Sequence, residues 1–163
     1  LGFGCEAHLD PDVARFIGEV PAHLVSVCLG INVYGSATFS PRSLGPAVQA
    51  FIRTIRAGHP GIPLVVITPI SSPDREAKQN AVGLSLRGVR DIIAASVTSL
   101  GRHDELLRLV DGRDLFGPDD ANLLPDGLHP GPDGYRLLAE RALVGASLVC
   151  SASAAQTRRS RTA

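Results

Sequence analysis

The feature that most narrows the fold is an alternation: apolar runs of strand length take turns with longer stretches of helical periodicity. The runs are His23 to Ile31 ("HLVSVCLGI"), Leu64 to Ile70 ("LVVITPI") and, less cleanly, Glu105 to Gly112 ("ELLRLVDG"). β-Branched residues dominate the first two, and turn formers bound them. The second is apolar throughout, as a strand covered on both faces would be. Before the first run, Asp10-Pro11 reads as a cap with proline at the first helical position, and Val13, Phe16 and Ile17 share a face up to Glu19. Ser40-Pro41 repeats the signal, and Leu44, Val48, Phe51, Ile52 and Ile55 keep helical spacing up to Gly58. Ser71 to Lys78 reads as a polar loop, and Leu84, Leu86, Val89, Ile92, Ile93 and Val97 predict a helix over 81–100. Pro132 opens a last helix with Tyr135, Leu138, Ala142 and Leu143. Helix and strand in strict rotation predict an α/β domain built on a parallel sheet.

Charge and composition exclude little but exclude it clearly. The formal net charge is zero, which removes the electrostatic case for nucleic acid or an anionic membrane as partner. No apolar run approaches the roughly 18 residues of a membrane span. Cys5, Cys28 and Cys150 are too far apart for a metal pair, and Cys28, inside an apolar run, reads as a buried small hydrophobe. No charged-then-apolar leader opens the chain, so the default compartment is cytoplasmic. Residue 1 is leucine and the chain has no methionine, so it reads as a fragment or a processed product. A domain over residues 1–149 and a disordered tail over 150–163 are expected, the tail being small, polar and arginine-bearing.

In a parallel α/β sheet, ligands bind beyond the carboxyl ends of the strands. The strand ends "GINVYG", "TPISSP" and "DGRDLFG" and the "DGLHP" loop belong at that edge, and three stretches of the chain have chemical potential. In "DGLHP", Asp126 precedes His129 by three residues, a spacing at which an acid can orient an imidazole acting as a base, while Pro130 and Pro132 stiffen the loop. Asn32 follows the first strand, where an amide can donate to an oxyanion. Gly2 and Gly4, ahead of the first helix, offer free backbone N–H groups. Each stretch also has a plain structural explanation: an Asx turn, a strand-ending asparagine, a turn into a helix. A metal site built on His129 with Asp126, Asp133 or His103 lacks any HxH, HExxH or cysteine-pair spacing, and no cofactor is implied.

Taken in order, "LGFGC" (Leu1 to Cys5), "GIN" (Gly30 to Asn32) and "DGLHP" followed by "GPDGY" resemble the blocks of the SGNH (GDSL-like) hydrolase family of esterases and lipases. The resemblance runs to about Val149. It implies a flavodoxin-like, three-layer α/β/α fold with a parallel sheet, and an acyl-enzyme mechanism on small-molecule esters. His129 would be the base, Asp126 its orienting acid, and Asn32 with the backbone at Gly4 and Cys5 the oxyanion hole.

The sequence departs from that pattern in three places. Cys5 stands at the position best matching the family's oxyanion glycine, which keeps the N–H but not a glycine-only dihedral. Val33 stands where an aspartate usually follows the asparagine. The third departure is larger: no Gly-Asp-Ser block occurs in residues 1–163. The resemblance implies that this block, with the first strand or strands of the fold, lies N-terminal to Leu1. Ser36, Ser40, Ser71 and Ser72 are the local alternatives, each more simply a loop or capping serine. Cys5 as a thiol nucleophile lacks a positioned base. Two further readings stand beside hydrolysis: a catalytically silent fragment or scaffold, and acyl transfer to an alcohol other than water.

Overall fold

Pro11 fixes the first turn of α1 (Pro11–Glu19), whose Ala14 is fully buried. The chain continues through β1 (Val25–Cys28), α2 (Ile31–Gly35), α3 (Pro41–Gly58), β2 (Leu64–Ile67), α4 (Pro73–Glu76), α5 (Leu86–Gly101), β3 (Leu107–Val110), α6 (Gly112–Leu115) and a 3-10 helix (Pro118–Leu123). A last helix, α7, runs over 132–143. The computed structural model describes residues 6–143; Gly4, Cys5, the expected domain limit at 149 and the expected tail over 150–163 lie outside the described residues.

The three strands form one parallel sheet in the order β1-β2-β3, with Val25, Leu64 and Leu107 in register. This is the expected α/β architecture. Strand side chains alternate between faces. Val25, Leu64, Val66 and Leu107 join the main core with Leu44, Val48, Ile52 and Ile55 of α3 and Val89, Ile93 and Val97 of α5. Each such side chain contributes about 1.5–3 kcal/mol by leaving water. Leu115, Phe116 and Leu124 are buried too, but stand apart from that cluster.

Several expected boundaries shift for identifiable reasons. The first strand ends at Cys28 because Gly30 takes φ +117° and starts α2, so Asn32 lies in the first turn of a short helix. A Cβ at Gly30 would come within 2.8 Å of Ile93, Pro69 and Val89, so both dihedral and packing demand glycine there. The helix expected from residue 81 starts at Leu86. Asn80 Oδ1 accepts from the N–H groups of Val82 and Leu84, holding a turn, and Ser85 caps the helix through Gly88 N. The 71–78 loop contains the one-turn α4.

Cys28 is exposed, not buried. It lies on the edge strand, and like Ser26 it points to the face of β1 away from the main core. No helix is long and apolar enough to cross a membrane among the described residues.

Candidate active site

The "DGLHP" loop is held from within by one carboxylate. Asp126 Oδ1 accepts the backbone N–H groups of Leu128 (2.9 Å) and His129 (2.7 Å), and Oδ2 lies 2.7 Å from His129 Nδ1. Gly127 supplies the left-handed residue the turn requires, at φ +71°. A carboxylate only accepts, so Nδ1 carries the proton and the lone pair of the neutral ring sits on Nε2. Nε2 has no hydrogen-bond partner among the described residues. The side chains of His129 and Asp126 are 60% and 56% exposed, so the free nitrogen is open to an incoming group. The His129 imidazole and the two backbone donors together push the Asp126 carboxyl well below the usual carboxylate range.

The loop is mounted between the 3-10 helix and α7. Gly127 N donates to Leu124 O and Gly131 N to Leu123 O. The close fit explains the glycine in "GPDGY": a Cβ on Gly134 would come within 2.9 Å of Pro130 and 3.2 Å of Phe116. One residue of the loop also reaches the segment that joins β2 to α4. Ser72 Oγ, just past β2 and 1% exposed, donates to Gly127 O at 2.7 Å. Arg75 Nη1 donates to the same carbonyl (3.1 Å) and to Ser72 Oγ (3.0 Å).

Beneath that contact lies a buried ion pair that sequence reasoning missed. Arg90, with its side chain 3% exposed, meets both oxygens of Glu76 at 2.9 Å and also donates to the carbonyls of Pro69 and Ile70. Ser72 N–H donates to Glu76 Oε1. Burial pulls the Glu76 carboxyl upward, but Arg90, the Ser72 N–H and Arg113 outweigh it and leave it below its ordinary value. The signal was available: Arg90 falls on the helical face of Leu86, Val89 and Ile93.

Asn32 stands at the carboxyl end of β1, next to the β2 end that carries Ser72, and its side chain has no partner among the described residues. Glu6 to Leu9, which directly follow Gly4 and Cys5, are tied to the loop after α2 by a 3.0 Å contact between His8 Nδ1 and Thr38 Oγ1. Ser40 forms a capping box with Ser43, Ser36 ends α2, Ser71 is buried, and the Ser72 hydroxyl is committed to Gly127. No group of three metal-ligating side chains is found among the described residues.

A cavity lies away from His129. A groove of about 750 Å³ runs along the outer edge of β1, lined by Val13, Phe16 and Ile17 of α1, Val27 and Cys28 of β1, and Phe51 of α3. That edge has no strand partner among the described residues, and Phe16 is 52% exposed beside it.

The model of the GDSL-like lipase/acylhydrolase family matches residues 2–137. No curated protein sequence matches the chain. Among solved structures, the chain is similar to the salicylyl-acyltransferase SsfX3 of a tetracycline biosynthetic pathway, with 25% identity and a TM-score of 0.74, over 83% of this chain and 40% of that one. A carbohydrate esterase family 3 protein from Talaromyces cellulolyticus shares the fold at 16% identity and a TM-score of 0.66, over 91% of this chain and 69% of that one. An acetyl esterase solved with acetate shares it at 16% identity and 0.67, over 92% and 70%. The chain thus spans 40% of the length of the acyltransferase.

Proposed function

The chain belongs to the GDSL-like lipase/acylhydrolase family, and from that premise we propose that it carries the base half of an ester-cleaving site. The observation that carries the reading is the Asp126–His129 pair, with Nδ1 engaged by the acid and Nε2 free. In the proposed reaction Nε2 takes the proton of a serine hydroxyl as its oxygen attacks the ester carbonyl. Asp126 steadies the imidazolium that forms. The oxyanion accepts hydrogen bonds from the Asn32 amide and from backbone N–H at Gly4 and Cys5. His129 then returns the proton to the departing alcohol, leaving an acyl-serine. Water, activated by the same nitrogen, releases the acid. No cofactor takes part.

The serine belongs to a segment that precedes Leu1 in a longer protein. Two observations support this: the hydroxyls of Ser40 and Ser72 are committed to structural bonds, and, among the described residues, the β1 edge offers an apolar groove without a strand in it. The test is His129→Ala in that longer protein, assayed on p-nitrophenyl acetate. The expected loss is about a thousandfold or more; near-full activity would sink the assignment.

Two other readings each have an observation behind them. Acyl transfer to an alcohol is favoured by the similarity to an acyltransferase, and adding acceptor alcohols to the assay separates transfer from hydrolysis by product. A silent scaffold is favoured by the absence of Gly-Asp-Ser from residues 1–163. Covalent labelling of the 163-residue chain by a fluorophosphonate would argue against it.

A further inference from the structure

We propose that Ser72 and Arg75 are positioning residues, a clamp on the Gly127 carbonyl that sets where the Asp126–His129 pair stands relative to the sheet. The inference rests on the reading of His129 as the base, and goes beyond it to how that base is aimed.

The pair makes its own internal contacts, since Asp126 binds the N–H groups and the ring of the same four-residue turn. Those bonds fix the shape of the turn but not its place in the molecule. The backbone bonds that leave the loop go to Leu123 and Leu124, which belong to the segment after β3. Among the described residues, the only hydrogen bonds joining residues 125–130 to the end of β2 are those to Gly127 O from Ser72 Oγ and Arg75 Nη1. They converge on the carbonyl of Gly127, one of the two residues lying between the acid and the base in sequence.

The anchor under the clamp is densely bonded. Ser72 is 1% exposed, its N–H is held by Glu76, and Glu76 is gripped by the buried Arg90, which also binds the carbonyls of Pro69 and Ile70. The position of an exposed histidine is thus referred back, through Ser72, Glu76 and Arg90, to the interior of α5 and the end of β2. A base displaced by about 1 Å costs on the order of a hundredfold in rate, so a device of this kind has a catalytic consequence.

Ser72→Ala, Arg75→Gln and the rescue variant Ser72→Thr test the clamp in two ways. In the longer active protein, Ser72→Ala and Arg75→Gln should lower kcat on p-nitrophenyl acetate roughly ten- to hundredfold with KM within about twofold. Ser72→Thr, which keeps the hydroxyl, should restore it. In the 163-residue chain, backbone ¹⁵N order parameters at Gly127 to His129 should fall from about 0.85 toward 0.6 in both loss variants, with β2 unchanged. Unchanged order parameters in the loss variants would overturn the clamp. So would kcat at the parent level in them while His129→Ala abolishes activity. If His129→Ala stays active, it is the base reading that falls, and the order parameters still decide whether the clamp holds the loop.

Discussion

Arg90 lies on the face of α5 that Leu86, Val89 and Ile93 turn toward the core, where an unpaired guanidinium would be costly. Glu76 supplies the nearer counter-charge, at 2.9 Å, while Asp111 stands 3.9 Å away, so loss of Glu76 leaves a buried cation with only its distant partner. Glu76→Gln should lower stability by about 3 kcal/mol, read as the urea midpoint at pH 7. The pH dependence follows from the sign of the shift. Glu76 titrates below its ordinary value, so its contribution is complete above the unfolded pKa of about 4.3 and is lost as pH falls through the depressed folded one. The gap between parent and variant should therefore close under acid; a gap as wide at pH 2 as at pH 7 would contradict the assignment. The same residues show what a sequence can convey. The Asp126–His129 pairing was legible because its partners lie within four consecutive residues. The Ser72–Gly127 bond joins groups 55 positions apart and the Arg90–Glu76 pair spans 14, and no local pattern announces either.

At the scale of elements, α1 is held to α3 through a near contact of two glycines. A Cβ on Gly58 would sit 2.1 Å from Gly18 O, an obstacle made of backbone that cannot swing aside. Gly58→Ala should cost about 1–3 kcal/mol by forcing the helices apart. Gly61→Ala, where a Cβ meets nothing within 4 Å, is the matched control. Equal urea midpoints for the two variants would show that the crossing tolerates spreading. The helices themselves were readable, because proline at the first turn and 3.6-residue spacing are local signals. Their limits were less so: Leu84 fits the α5 pattern, yet Asn80 captures its N–H and delays the helix to Leu86. Asn32 was expected in a strand-ending turn and lies in α2, because a φ of +117° at Gly30 is not spelled out by the letter G.

At the scale of the whole molecule, the decisive feature is the edge of β1, unpaired among the described residues, with its apolar groove. Cys28 reports on it. Burial pushes the thiol above its ordinary value, although the residue is exposed by area; the two agree for a sulfur lying against an apolar wall with one side open. If the proposed serine-bearing segment seats on that edge, Cys28 in a longer protein carrying it should alkylate at least about tenfold more slowly than in the 163-residue chain. Iodoacetamide at pH 9 with peptide mapping separates it from Cys5 and Cys150, and equal rates would place the segment elsewhere. The expectation of a buried Cys28 failed for the same reason: an apolar run identifies a strand, not whether a neighbour covers it.

The separation of Leu115, Phe116 and Leu124 from the main core has a consequence for descent as well as for folding. The apolar residues that hold the sheet and its helices together are distinct from those beneath the Asp126–His129 loop, and the two groups meet through Ser72, Glu76 and Arg90. Substitutions in the loop can therefore accumulate while the sheet and its helices keep their fold, whereas a change at Ser72, Glu76 or Arg90 is felt by both.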